Sequence, residues 1–452
     1  MLGVKTVGNA TLIAYEGVPV LATDPWLDLG GAYFGSWSLL YDIPPVERQD
    51  ILDAKYVWLS HGHPDHLDAN SLALFDKDRV FLLPQHRGDR ILNDLKSLGF
   101  NVRAMPDREW VQLSPRIRAM CVSDYYQDAI LLVDVNGRIF VNINDAADRG
   151  WLSFVRRVTS QYKHRYLLKL LGYGDADMIN FRDQDGKLVL PRAALRIPLS
   201  QQMEEAARIY NCNYIIPFST FHQYRRADSV WANEFATPLS AYANGAGAKS
   251  FTYIQPFSWI DAETGHAAEV AVAQKSDLVL APEQFGDNWS DMLCAQDVAA
   301  IGAYFRRREH VWNSFGWLNF RVGGKDNIID MHGPRSAGIV FEVPRGSLMA
   351  SIEYEIFDDL LIGNFMRTTL VGVPSLYPDF TPYVAKYADN GRAYSSAEVE
   401  TYIENYRRRS PREFFLHKFA TSTERVVRLL APKDTPLYEL AKRGYYTLRQ
   451  HR

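Results

Sequence analysis

VWLSHGHPDHLD, residues 57–68, places three histidines and an aspartate within six positions directly after an apolar run. Packing alone gives no reason for such a cluster. His61, His63, Asp65 and His66 follow the spacing H-x-H-x-D-H, and four ligand-type side chains so close together are rare by chance. Imidazole nitrogen and carboxylate oxygen suit zinc, iron and manganese. The preceding KYVWLS has the β-branched and aromatic content of a short buried strand. Gly62 and Pro64 fit a constrained turn. A tight loop leaving that strand can aim His61 and His63 at one metal and Asp65 and His66 at a neighbouring one. The bland alternative is a polar loop with incidental histidines.

The flanking sequence gives this loop a context. Residues 11–27, TLIAYEGVPVLATDPWL, read as two strands separated by Glu16-Gly17, a hairpin. PPVERQDILDA (44–54) has helical spacing, with its prolines at the start where they are tolerated. After the histidines, Asp68 is an N-cap for a helix over DANSLALF (68–75). RVFLLP (79–84) is a strand, and RGDRILNDLKSLG (87–99) a helix closed by Gly99. In AILLVDVNGRIFVNIND (129–145), Asn136-Gly137 is a favoured hairpin turn. NYIIPF (213–218) is a further strand and residues 228–245 are helical. Strands that alternate with helices yet include hairpins imply mixed sheets with helices packed outside.

The pattern changes later in the chain. SDMLCAQDVAAIGAYFRRREHVW (290–312) reads as one long helix. GWLNFRV (316–322), GIVFEV (338–343) and SLMASIEYEI (347–356) read as strands, and residues 396–409 as a helix. We expect a first domain over residues 1–270 and an α+β domain over 271–452, with the boundary near 270–290. The second carries no catalytic motif, and a substrate cover or a dimer contact is its expected role. In EYEIFDDLLIGNFMRTTL (353–370) the acidic residues read as capping.

Composition narrows the classes. The chain has 452 residues, 47% of them hydrophobic, and a formal net charge of -3. No basic field points to nucleic acid or an anionic membrane. The runs 306–308 and 407–409 of arginine read as solvated helix faces. Three cysteines without CxxC spacing exclude a disulfide framework or a cysteine zinc cage and suit a reducing compartment. No stretch approaches the roughly 20 apolar residues needed to span a bilayer. The first residues lack a signal-peptide pattern. A cytoplasmic protein acting on a small-molecule substrate, without nucleic acid or membrane and with a homodimer open, is the expectation.

H-x-H-x-D-H after a strand resembles the signature of the metallo-β-lactamase superfamily, which implies an αβ/βα sandwich with two divalent metal ions at one edge. ATDPWL, with Asp24, resembles the superfamily's second-strand motif, and NINDA puts Asp145 at the place of its metal-bridging aspartate. More narrowly, DPWLDLGGAYFGSWSLLYDIPP, SHGHPDHLD, IIPFSTF and FTYIQPFSWIDAETG are similar to the metallo-β-lactamase-like part of the CMP-N-acetylneuraminate hydroxylases. That similarity runs over about residues 1–265. The Rieske cysteine–histidine pairs of those enzymes do not occur in this chain, so the hydroxylase activity is not carried over through them. Where the superfamily has a third histidine this chain offers Asp124, a harder ligand that favours iron or manganese over zinc. For the last histidine it offers His222, or Arg226 by strict spacing. His86, at the end of a strand on the same edge, is with Arg226 a candidate for the substrate pocket.

Two chemistries suit such a site. A hydroxide between the metals can attack an ester, phosphodiester or amide, with Asp65 orienting it or taking its proton. Alternatively two irons can activate O2 for hydroxylation, which requires an external reductase. The third reading is a degenerate site kept as a binding module. The hydroxylase resemblance makes a sugar or nucleotide-sugar substrate worth testing. GGAYFGSWSLLY and DYYQD are aromatic enough to stack on a sugar or base, or simply to pack.

Overall fold

The strands Ala129–Val135 and Arg138–Asn144 are buried at every residue, and Leu2–Val7 and Thr11–Glu16 at nearly every one. Strands of this kind have to be covered on both faces. The computed structural model describes residues 1–124, 126, 128–144, 146, 148–172, 178–189, 198–244, 250–388 and 391–430, with backbone alone at 244, 420, 421 and 423–430. It answers the requirement with two sheets laid face to face and helices outside them.

The first sheet has eight strands. From edge to edge they are Ala267–Glu269, Ser258–Asp261, Leu2–Val7, Thr11–Glu16, Val18–Thr23, Tyr56–Trp58, Val80–Pro84 and Asn101–Met105. The second has seven: Thr252–Tyr253, Tyr214–Pro217, His164–Lys169, Arg138–Asn144, Ala129–Val135, Ile117–Ser123 and Trp110–Ser114. Leu12, Val20 and Trp58 of the first sheet share one core with Leu131, Val133, Phe140 and Tyr166 of the second. The helices Pro45–Asp53 and Arg90–Ser97 cover the first sheet through Ile51 and Leu95. Leu152–Thr159 and Leu199–Tyr210 cover the second through Val155 and Met203. This is the expected αβ/βα sandwich.

Val18–Thr23, Tyr56–Trp58 and Val80–Pro84 run parallel, so their carboxyl ends meet on one edge. Arg138–Asn144, His164–Lys169 and Tyr214–Pro217 do the same in the other sheet. Ligands of open α/β sheets bind outside such ends. The Asn136-Gly137 turn forms as expected, with φ 53° and 80° as the type I′ hairpin requires.

A third sheet belongs to the C-terminal part. Its order is Phe181–Arg182, Arg367–Val371, Gly338–Glu342, Trp317–Val322, Lys325–Asp330. One of its five strands therefore comes from residues 181–182, well before the expected boundary. Phe305, Phe320, Phe341, Phe357 and Phe380 pack ring against ring in its core.

Four element expectations change, the first over residues 228–245, which form the 3-10 turn Val230–Phe235 and the short helix Leu239–Asn244 in place of one helix. Residues 347–356, read as a strand, lie mostly in the helix Arg345–Glu353, whose buried residues Ser347, Leu348, Ser351 and Ile352 recur at helical spacing. The long helix over 290–312 is two, Ala295–Arg306 and Glu309–Ser314. They divide at Arg308, which is not solvated but 1% exposed. It donates to the carbonyls of Tyr304 and Tyr387 and lies over the Tyr304 ring. The helix after Asp68 is only Ala69–Leu72, though Asp68 caps it as expected by accepting from the amides of Asn70 and Ser71.

Candidate metal centre

Leaving the strand Tyr56–Trp58, the chain turns back on itself, with the amides of His66 and Leu67 both donating to the carbonyl of His63. The turn sorts the four ligand-type side chains into two pairs. His61 Nε2 lies 2.9 Å from His63 Nδ1. Asp65 Oδ2 lies 3.3 Å from His66 Nε2. The rings of His61 and His66 are 4.2 Å apart, so the pairs are neighbours. His61, Asp65 and His66 are buried and His63 is half-buried.

The orientation of each pair comes from residues behind it. Ser60 Oγ is 2.8 Å from His61 Nδ1 and 3.3 Å from His66 Nδ1, so both rings present Nε2 away from it. Asp24, just beyond Val18–Thr23, accepts the Ser60 amide at 2.7 Å and sits 3.2 Å from His66 Nδ1. Asp65 Oδ1 accepts the Tyr33 hydroxyl at 2.6 Å, and Oδ2 accepts Asn9 Nδ2 at 2.9 Å. Asn9 in turn accepts the Phe221 amide, tying the loop after Tyr214–Pro217 to the same carboxylate. Asn9 was not singled out from the sequence, and Tyr33 only as part of the aromatic stretch GGAYFGSWSLLY. No spacing marks them, because each reaches Asp65 across more than thirty residues.

Burial sets the charge states. It holds the His61 imidazole well below its ordinary value, and the neighbouring His66 adds to the effect. Burial works to raise Asp65, but His66, Tyr33 and His63 outweigh it, leaving the carboxyl below the usual carboxylate range. Burial raises Asp24, against the pull of His66. A neutral imidazole at His61 near an ionised Asp65 carboxylate is the kind of protonation state that metal ligands need. The two pairs thus bring together donor atoms of the types that divalent metal ions take.

The remaining candidates are placed as follows. Asp145 lies outside the described residues. Its predecessor Asn144 donates to Asp24 Oδ2 at 3.5 Å, so its strand ends beside the histidine loop. Asp124 is buried, which pushes its carboxyl up to about 7 despite Arg149. Its Oδ2 is 3.1 Å from Arg149 Nη1, and its Oδ1 accepts from Tyr402 of the helix Ser396–Arg409. His222 lies on the strand His222–Tyr224 and stacks flat on Trp37, 3.4 Å between centroids. Trp37 meets Tyr33 edge-on at 4.5 Å, so two rings link His222 to Asp65. Arg226 is 0% exposed. It forks onto both oxygens of Asp228 and also reaches Asp287 and the Phe34 carbonyl. It braces the C-terminal part against the first sandwich. His86 lines a cleft together with His61, Arg87, Arg90 and Arg392.

One pair of residues in the C-terminal part joins this site. On the helix Phe357–Ile362, the carboxylates of Asp358 and Asp359 come within 4.8 Å of each other and of a His63 ring nitrogen. They are 3% and 5% exposed. The expectation that these acids only cap a helix is incomplete, since they face the histidine loop.

No protein-family model matches the chain. Over 99 residues it is 34% identical to a protein of Mycobacterium tuberculosis (strain H37Rv) named for a Rieske 2Fe-2S iron–sulfur centre, a match spanning 22% of this chain and 19% of that one. Over 131 residues it is 28% identical to the cytidine monophosphate-N-acetylneuraminic acid hydroxylase of Danio rerio, spanning 27% of this chain and 22% of that one. The chain thus spans about a fifth of the length of these curated relatives, 19% and 22%. The likeness to the hydroxylases expected from the sequence is present over that stretch. Among solved structures it is similar to a metallo-β-lactamase-fold protein of Bacillus subtilis, with a TM-score of 0.33 and 12% identity over 59% of this chain and 98% of that one. Among the described residues no helix is long and apolar enough to cross a membrane.

Proposed function

We propose that this chain is a metal-dependent hydrolase of the metallo-β-lactamase superfamily, acting on an ester, phosphodiester or amide. The observation that carries the reading is the pairing of donors on one loop, His61 with His63 at 2.9 Å and Asp65 with His66 at 3.3 Å. Asp124, Asp145 and His222 are carried as further ligands. Two divalent ions, of zinc, iron or manganese, would supply Lewis acidity and water ionised near neutral pH. The chain's own residues do the rest. Asp65, ionised and fixed by Tyr33 and Asn9, orients the attacking water. Asp24 and Ser60 hold the rings of His66 and His61. The acidic sugar or nucleotide-sugar substrate is suggested by the hydroxylase resemblance, and the small cleft where Arg87, Arg90 and Arg392 lie near His61 and His86 is a place to test for it.

A second reading is O2-dependent hydroxylation by two irons. The buried carboxylate of Asp124 favours it, because oxygen donors suit iron. It needs electrons from a separate reductase. Hydrolysis needs no such partner and ranks first.

Metal analysis of protein purified without added metal, together with assays in air and without oxygen, tests both. Hydrolysis of activated esters or phosphodiesters that survives oxygen removal and is lost on chelation is the expected result. Product that stops without O2, with a coupled diiron spectrum, replaces the first reading by the second. Substoichiometric metal and no turnover would leave only a binding module.

A further inference from the structure

The C-terminal part touches the histidine loop through Asp358, whose Oδ2 lies 3.5 Å from His63 Nε2, between residues 295 apart in sequence. The other nitrogen of that ring, Nδ1, is the one 2.9 Å from His61 Nε2. The two nitrogens of an imidazole point to different sides of the ring. A carboxylate at Nε2 therefore does not share an ion with Nδ1. A neutral histidine that ligates through Nδ1 carries its proton on Nε2, and metal-ligating histidines almost always donate that second proton to a carboxylate, a carbonyl or water. The residues on either side of His63, Gly62 and Pro64, have no side-chain acceptor to offer.

We propose that Asp358 is the positioning residue for His63. It accepts the Nε2 proton, fixes the tautomer that leaves Nδ1 to the metal, and turns the ring toward His61. This rests on the reading of the loop as a metal centre and deepens it, because the site is then incomplete without the C-terminal part. Asp359, its neighbour on the same short helix, brings a second carboxyl group to the same place. Binding of metal and seating of the helix Phe357–Ile362 are then linked, each favouring the other.

The test uses the full chain, with zinc alone as the probe. Zinc affinity is measured by competition with a chromogenic chelator for the parent, Asp358→Ala, Asp358→Glu, and Asp326→Asn as an exposed control. Removing an outer carboxylate of this kind costs about 10–100-fold in affinity. Asp358→Ala is expected to show that loss with unchanged circular dichroism, Asp358→Glu to recover part of it, and Asp326→Asn to match the parent. Should Asp358→Ala fail to fold, nitrogen-15 spectra of the zinc-loaded parent with labelled histidine decide instead. A zinc-bound Nδ1 and a protonated Nε2 at His63 are expected. Affinity of Asp358→Ala within twofold of the parent, or zinc on Nε2 of His63, overturns the proposal while leaving the metal centre intact. A parent that takes up no zinc, iron or manganese overturns the metal reading itself.

Discussion

The hydroxyl of Tyr402 donates to Asp124 Oδ1 at 3.1 Å, joining residues 278 apart. Arg149 closes the triangle, with Nη1 2.7 Å from the Tyr402 oxygen and 3.1 Å from Asp124 Oδ2. The helix Ser396–Arg409 is thus fastened over the end of the strand Ile117–Ser123, and Arg409 donates to the Ser123 carbonyl beside it. Tyr402→Phe deletes the hydroxyl and leaves a buried carboxylate and guanidinium short of one partner. A loss of about 1–3 kcal/mol in unfolding free energy is expected, read by urea denaturation. An unchanged midpoint would mean that the triangle contributes nothing to stability.

Arg226 and Asp287 form an ion pair at 2.8 Å with both side chains 0% exposed. Taking away one partner strands a buried charge, which costs about 3–5 kcal/mol. Arg226→Met should destabilise by that order in chemical denaturation, and Asp287→Asn by less, because Arg226 stays forked on Asp228. The double variant should lose less than the sum of the two, and strict additivity would show that the pair is not coupled.

Tyr33→Phe removes the shortest hydrogen bond to Asp65, 2.6 Å. Turnover is expected to fall about 10–100-fold, the range seen when outer partners of metal ligands are lost, with the fold intact by circular dichroism. Turnover equal to the parent's would release Tyr33 from any part in holding Asp65.

Lys386 titrates against burial. The surrounding protein pushes its ammonium down to about 7, with Arg149 adding to the effect and Asp124 opposing it. Unfolded, it keeps the ordinary lysine value of 10.5. Between these values the unfolded chain holds the proton and the folded chain does not, so this group makes stability rise with pH across that window. Below the window both states are charged and the cost of burying the charge is felt in full. Lys386→Met should therefore gain on the parent most at pH 7 and below, and the advantage should narrow toward pH 10. Urea midpoints at three pH values measure it, and parallel profiles would refute the assignment.

The parts of the fold that were legible in the sequence are those fixed by local rules. Asn136-Gly137 can only be a tight turn, Asp68 is a cap, and H-x-H-x-D-H has a chemistry that no packing pattern imitates. What was hidden is set by contacts between distant segments. Asp358 and Asp359 look like helix-capping acids because nothing nearby says that a histidine 295 positions earlier will face them. Arg308 looks like one of three solvated arginines until the Tyr304 ring and the Tyr387 carbonyl enclose it. Residues 347–356 mix serines with apolar residues, and only the side that is buried reveals a helical period. Asn9 and Tyr33 carry no motif, and their meaning appears only when Asp65 is placed between them.

The two-residue strand Phe181–Arg182 pairs with Thr368 and Thr369, and Asn180 just beside it donates its backbone amide and its Nδ2 to Asn364. The polypeptide thus visits the C-terminal sheet in mid-course and returns to finish the sandwich with residues 199–269 before building the rest of that sheet. No single cut yields two self-sufficient halves: a chain ending at 270 keeps an orphaned edge strand, and a chain starting at 271 lacks one. The C-terminal part is cloth woven into the same piece, because an edge strand of its sheet is supplied by backbone from the first 270 residues.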